Sequence, residues 1–284
     1  MEVIISKNCG YCNGVKKAIK ILDNTIKENI SKKNIYTLGS IIHNQKVVKS
    51  YEKKGVFSLE DINELKAGDC VVIRSHGVSP DIIEELNKKT INVLNATCNF
   101  VLRVHKLAKD LSSRGYFIIL IGEKNHPEVT GIAGNIKNNN FVIINTPEEA
   151  QKINPQKKIA VISQTTQTKE NFILISKKIV ENIKDEVLII NTICKATEIR
   201  QNETAQLAKK TDVMIIAGGK NSANTTHLAE ISGNINKNTY HIENAEELKK
   251  EWFKNAKIIG ITGGASTPLK EITDIKNIIQ SLKL

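Results

Sequence analysis

Cys12, Cys98 and Cys194 each stand where an apolar run gives way to a helical pattern, 86 and 96 residues apart with 90 more to follow. That is the period of a repeated supersecondary block. Three thiolates from three distant places, with no fourth cysteine in a matching position, suit an iron–sulfur cluster with one iron left open. Thiolates are soft ligands, and a cubane takes one per iron. An open iron can act as a Lewis acid on a substrate oxygen. A single cysteine is as readily a small buried hydrophobe; the equivalent placement of three is what weighs against that reading. Cys9-Gly-Tyr-Cys12 is also a CxxC, the pattern of a redox pair or half a zinc site. No second CxxC and no Cys/His pair at finger spacing accompanies it. Cys70, in Cys70-Val-Val-Ile, reads as a core residue.

A second feature recurs in each block. An apolar run ends in glycine and a polar loop: Leu38-Gly-Ser-Ile-Ile-His43, Ile121-Gly-Glu-Lys-Asn-His126 and Ala217-Gly-Gly-Lys-Asn-Ser222. Four residues after the first glycine stands His43, His126 or Ser222, a hydrogen-bonding side chain each time. A further apolar run ends in Arg74-Ser-His76-Gly, Gln164-Thr165-Thr166 or Gly264-Ala-Ser266-Thr. A lone loop histidine is usually a surface or capping residue. His43, His76 and His126 in matched loops, with Thr165, Ser222, Asn224 and Ser266, form a set of donors suited to phosphate oxygens at helix N-termini. Glu128, two residues past His126, is a carboxylate in the same loop; by type alone it reads as a solvated surface group. Gly218-Gly-Lys-Asn-Ser222 lacks the first glycine and the Ser/Thr of a P-loop, and no GxGxxG opens a helix, so no motif supports nucleotide binding.

These residues need elements to hold them. Short β-branched runs alternating with helical patterns predict parallel sheets built from βα units, with polar loops at strand carboxyl ends, where open α/β sheets place ligands. Val15, Ile19, Leu22 and Ile26 form a clear helical stripe after Cys12 and Val101, Val104, Ala108 and Leu111 a fair one after Cys98; the stretch after Cys194 is more polar. Acidic helix starts are expected after Leu59, Thr146 and Glu243. The repeat implies three α/β units, 1–96, 97–192 and 193–284, with room for the strand in 1–13 to pack with the third.

The 284 residues carry a formal charge of +11 and a pI near 9.3, which raises an anionic partner or nucleic acid. Only Arg74, Arg103, Arg114 and Arg200 are arginines among 41 basic residues, and aromatics make up 4%. Scattered lysines without stacking rings match a solvated surface better than a nucleic-acid groove. No apolar stretch approaches the ~18 to 20 residues of a membrane span, and Met1-Glu-Val-Ile-Ile-Ser-Lys is no signal peptide. A cytoplasmic protein is expected. Five cysteines there argue for metal or redox use rather than a disulfide framework.

Taken in order, nine motifs resemble the LytB/IspH family of the non-mevalonate isoprenoid pathway, nearly end to end. They are Gly10-Tyr-Cys12-Asn-Gly-Val, Leu38-Gly-Ser-Ile-Ile-His43-Asn, Arg74-Ser-His76-Gly-Val-Ser, Ala96-Thr-Cys98, Gly122 through His126-Pro-Glu128-Val-Thr-Gly, Gln164-Thr165-Thr, Thr192-Ile-Cys194-Lys-Ala-Thr, Lys220-Asn-Ser222-Ala-Asn224 and Gly264-Ala-Ser266-Thr-Pro. The resemblance implies a pseudo-threefold trefoil of three small α/β domains with mainly parallel sheets around one 4Fe-4S cluster on Cys12, Cys98 and Cys194. It implies reductive dehydroxylation of 4-hydroxy-3-methylbut-2-enyl diphosphate to isopentenyl and dimethylallyl diphosphates, with electrons from a ferredoxin or flavodoxin and no nucleic-acid or membrane partner. By the same match His43, His76, His126, Ser222, Ala223, Asn224 and Ser266 look like the diphosphate site, Thr165 a partner near the reacting carbon and Glu128 the proton source.

Some positions depart from the family pattern. Asn95 and Asn99 stand where Asp and Pro are usual, Asn191 replaces a common Asp, Leu269 follows the last Pro in place of an acid, and Cys9 is additional. Ala223 matters most, because a second serine commonly follows Ser222; here only a backbone amide is offered. The competing reading is a non-catalytic metal-cluster protein that binds an anionic ligand or RNA, supported by the net charge and the Cys9/Cys12 pair.

Overall fold

The computed structural model describes residues 1–28, 34–153, 158–183 and 185–282. β1 (Glu2–Ile5) leads into α1 (Asn13–Glu28), followed by β2 (Ile35–Leu38), α2 (Gln45–Glu52), β3 (Val56–Leu59), β4 (Cys70–Ile73) and α3 (Pro80–Lys88). Next come β5 (Asn92–Asn95), α4 (Asn99–Ser113), β6 (Phe117–Ile121), α5 (Pro127–Ala133), β7 (Phe141–Ile144), α6 (Pro147–Ala150), β8 (Lys158–Ser163) and α7 (Lys169–Asn182). The chain continues through β9 (Glu186–Ile189), α8 (Lys195–Ala208), β10 (Val213–Ala217), α9 (Ala223–Ile235), β11 (Thr239–Ile242), β12 (Ile258–Gly263) and α10 (Leu269–Ser281).

The strands form three parallel four-stranded sheets, ordered β3-β2-β4-β5, β7-β6-β8-β9 and β11-β10-β12-β1. All three follow one plan, an α/β architecture as the alternating pattern predicts. The first strand of each block lies between the second and third, and an edge strand pairs with the third. In the last sheet that edge is β1, running from Glu2 opposite Ile258 to Ile5 opposite Ile261. Each edge strand, β1, β5 or β9, is the one that leads to Cys12, Cys98 or Cys194.

Alternation within the strands explains the layers. In β6 and β8, Ile118, Leu120, Ala160 and Ile162 pack with Val104, Ala108, Leu111, Val129 and Ile132 of α4 and α5. Their neighbours Ile119, Ile121, Ile159 and Val161 point the other way, onto Phe172, Ile175 and Ile179 of α7. A strand buried on both faces has no polar side to show, hence its near-continuous Ile/Val run. Cys70 is fully buried in β4 beside Ile35.

The chain divides into two compact units. Met1–Val15, Ile42–Val47 and Lys195–Leu284 make one, which carries the β11-β10-β12-β1 sheet; Lys16–Ile41 and Val48–Cys194 make the other, with the remaining two sheets.

Two local features differ from expectation. The acidic starts after Leu59, Thr146 and Glu243 are single turns: 3-10 turns at Ile62–Glu64 and Ala245–Glu247, and the four-residue α6. Thr146 and Asn244 close capping boxes with Glu149 and Glu247, so the carboxylates satisfy backbone donors at the turn rather than starting a long helix. The short second strands β3, β7 and β11 were not evident in the sequence. The helix expected after Cys194 is α8, 14 residues long, and it buries Thr197, Arg200, Gln201 and Thr204 rather than an apolar stripe.

Candidate active site

Each proposed cysteine ligand immediately precedes the first residue of a helix: Cys12 before α1, Cys98 before α4 and Cys194 before α8. Unpaired amides at a helix start favour a thiolate. Each cysteine N–H also donates to a carbonyl in the loop after the third strand of its sheet. Cys12 donates to Ala265 at 3.2 Å, Cys98 to Ser75 at 2.9 Å and Cys194 to Thr165 at 3.0 Å. None of the five cysteines is in a disulfide, and these three are part-exposed. Each thiol, held at a helix start through its own backbone N–H, is a soft donor of the kind an iron–sulfur cluster takes.

This register refines one sequence assignment. Ser75, Thr165 and Ala265 each stand two residues after the end of their strand, whereas His76, Thr166 and Ser266 stand three after it. Thr165 therefore occupies the anchoring position, one residue before the place that His76 and Ser266 take.

In the first unit, the Cys12 loop meets the loop of Ser266 through the Cys12–Ala265 bond, and Ser266 Oγ donates to the His43 carbonyl at 3.0 Å. Gly219 approaches the same carbonyl, so closely that a Cβ there would lie 2.8 Å from the oxygen. Ser222 caps α9 without bonding its own helix through its side chain; Ala223 and Asn224 form the first turn. Asn224 is buried, and neither its amide nitrogen nor its amide oxygen has a hydrogen-bond partner. A buried, unsatisfied amide costs ~1 to 3 kcal/mol. Beside the N–H groups of a helix start, it suits an anionic ligand that accepts from it. His43, Ser222, Ala223, Asn224 and Ser266 thus come from three loops of one unit, together with Cys12.

In the second unit, His126 caps α5, and its Nδ1 accepts from the Glu128 N–H at 3.1 Å, which leaves the ring proton on Nε2. The ring meets His76 edge to face, with centroids 5.5 Å apart. Glu128 is 1% exposed. Its Oε1 accepts from Thr165 N–H at 2.6 Å and its Oε2 from Thr165 Oγ1 at 2.9 Å. Burial pushes the carboxyl up to about 7, against the two Thr165 bonds, which favour the ion. So Thr165 holds Glu128 with its N–H and hydroxyl and Cys194 with its carbonyl, while Ser75 anchors Cys98 next to His76. The solvated-surface reading of Glu128 does not hold.

Sequence reasoning overlooked His105, in α4. It is buried, and desolvation lowers its pKa to about 4. A Cβ at Gly77 would lie 3.0 Å from its ring, and one at Gly131 3.2 Å. The two glycines, one after His76 and one on the helix of Glu128, were the only clue the sequence offered. Arg200 was also overlooked; nothing in a polar helix pattern marks one arginine as buried.

The LytB protein family model matches residues 3–280. The 4-hydroxy-3-methylbut-2-enyl diphosphate reductase of Aquifex aeolicus is 44% identical over 284 residues, covering 99% of this chain and 97% of the relative. The enzyme of that name from Campylobacter hominis is 45% identical over 94% of each chain. Among solved structures, (E)-4-hydroxy-3-methyl-but-2-enyl diphosphate reductase, the terminal enzyme of the non-mevalonate pathway, aligns with a TM-score of 0.70 at 45% identity over 99% of both chains. The Plasmodium falciparum E-1-hydroxy-2-methyl-but-2-enyl-4-diphosphate reductase gives 0.92 at 30% identity, over 99% of this chain and 89% of that one. With family match, identity and fold all running the length of the chain, it belongs to the LytB family.

Proposed function

We propose that the protein reduces 4-hydroxy-3-methylbut-2-enyl diphosphate to isopentenyl and dimethylallyl diphosphates, using a 4Fe-4S cluster held by Cys12, Cys98 and Cys194. Two electrons and two protons are consumed; the C–O bond breaks, the hydroxyl leaves as water and the second proton ends on carbon. A ferredoxin or flavodoxin would supply the electrons in single steps. When bound, the cluster supplies electron transfer and a Lewis-acidic open iron.

The observation that carries this reading is the state of Glu128. Hydroxide is a poor leaving group unless protonated, and a general acid serves best with a pKa near the working pH. A carboxyl buried to a pKa of about 7 meets that need. When Glu128 carries its proton on Oε2, the Thr165 hydroxyl can accept it and turn its own hydrogen outward, so Thr165 both orients the acid and can pass the proton on. His43, His76, His126, Ser222, Asn224, Ser266 and the Ala223 amide are assigned to the diphosphate. At position 223 only the backbone amide is offered, and the buried Asn224 amide beside it, without a hydrogen-bond partner of its own, is a further donor for the ligand. The family's reaction class disfavours the alternative, a non-catalytic protein binding an anion or RNA. Among the described residues no helix is long and apolar enough to cross a membrane.

Anaerobic purification and assay test this. A brown protein with roughly four irons and four sulfides per chain, converting the allylic alcohol diphosphate to both C5 products with an artificial one-electron reductant, is expected. A colourless zinc protein without turnover would end the proposal.

A further inference from the structure

Helix α8 turns two charged side chains onto the loop that leads to Cys12. Arg200 is 5% exposed; its Nη2 donates to the Gly10 carbonyl at 2.7 Å and its Nη1 to the Gly263 carbonyl at 3.3 Å. Gly10 lies two residues before Cys12, and Gly263 ends β12, three residues before Ser266. One turn further along α8, Glu203 accepts from Ser6 Oγ at 2.7 Å and from Asn8 N–H at 2.9 Å, and also from the Asn8 side chain. Gly10 itself has φ +84°, a conformation that side-chain-bearing residues rarely adopt, and it packs against Leu269 at the start of α10.

The loop from Ser6 to Cys12 has little secondary structure of its own; its ends are tied by Ser6 N–H to Ile261 and Cys12 N–H to Ala265, and the Arg200 and Glu203 bonds fix the stretch between them. Two carbonyls from different loops receive one guanidinium, whose planar fork can serve both at once. The charge is felt locally: it draws the Cys9 thiol down against a larger upward push from burial, and it helps hold Glu203 ionised.

We propose that Arg200 is a positioning residue that locks the Cys12 loop to the loop of Ser266, and that the Arg200/Glu203 pair sets the reduction potential of the metal centre from outside its ligands. This rests on Cys12 being a ligand. A fixed cation near a ligand loop favours the more negative, reduced centre, and a fixed anion opposes it. The two residues should therefore move the potential in opposite directions, which loss of packing alone would not do.

The test uses anaerobically isolated holoprotein, with iron content, rate of iron release and midpoint potential as readouts. Arg200→Met should lower the equilibrium constant for one-electron reduction about tenfold, a shift of about 59 mV to the negative, and speed iron release. Arg200→Lys keeps the charge and should restore most of the potential but not the slow release, since an ammonium cannot span both carbonyls. Glu203→Gln, a milder change that remains informative if the arginine variants do not fold, should shift the potential to the positive. Wild-type potentials in Arg200→Met, or shifts of the same sign in Arg200→Met and Glu203→Gln, would overturn the inference. So would an unshifted Glu203→Gln if it alone folds. Cys12→Ser separates the two levels: a variant that keeps its cluster defeats the ligand assignment itself, whereas loss of the cluster with unshifted Arg200 and Glu203 variants defeats only this inference.

Discussion

Glu128→Gln isolates the acid from its scaffold. The amide is isosteric, its oxygen can still accept from Thr165 N–H, and its NH₂ can donate to Thr165 Oγ1, so both anchoring contacts survive. What disappears is the proton. With a pKa of about 7, about half of the enzyme carries it at pH 7, against about one molecule in 300 for a carboxyl at 4.5. General acid catalysis contributes about 10² to 10⁴ in rate, so kcat should fall by at least about 100-fold while substrate affinity stays within about threefold. The pH profile gives an independent check. For an acid that must be protonated, wild-type kcat/KM should hold level below about pH 7 and drop about tenfold per unit above it; the residual rate of the variant should lack that limb. Steady-state rates with an artificial one-electron reductant, alongside substrate-induced changes in the absorption spectrum, separate rate from binding. Turnover within threefold of wild type would refute the role, and loss of binding without a rate defect at saturation would make Glu128 a substrate-binding group instead.

Thr165→Val removes the hydroxyl that favours the ionised carboxylate, so the falling limb of the rate profile should move to higher pH; an unmoved limb would mean that the hydroxyl does not tune the acid. Replacing Cys12, Cys98 or Cys194 with Ser should each abolish cluster binding, while Cys9→Ser and Cys70→Ser should keep it, as iron analysis of the five variants would show. Asn224→Ala and Ser266→Ala should each weaken diphosphate binding by about 1 to 3 kcal/mol by calorimetry; unchanged affinity in both would remove them from the site. His105 has a folded pKa of about 4, below its ordinary 6.5, so the unfolded chain takes up a proton that the folded chain excludes as pH falls. Its contribution is complete above pH 6.5 and declines below it, by about 2 kcal/mol at pH 5. Glu128 titrates with the opposite sign, so the effect is read as the difference between wild type and His105→Gln in urea unfolding at pH 7 and 5.

Much of this protein was legible in its residues alone. Near-continuous Ile/Val runs call for strands covered on both faces, and helical stripes after Cys12 and Cys98, with Cys194 at the equivalent place in the third block, located the three helix starts, because hydrophobic periodicity and helix entry are local properties of the chain. The glycine loops likewise marked His43, His126 and Ser222, since a turn after a strand needs little beyond its own sequence. Other features depend on neighbours distant along the chain. Glu128 reads as a surface carboxylate until α5 buries it against Thr165, 37 residues away, and only that burial gives it an acid's pKa near neutrality. The pairing of β1 with β12 joins the two ends of the sequence, which no local pattern specifies. Arg200 and His105 sit in helices whose periodicity says nothing of a buried charge or a dry imidazole. Desolvation and hydrogen bonding to remote backbone act through space, so the chemistry of these side chains was decided only when the tertiary structure placed them.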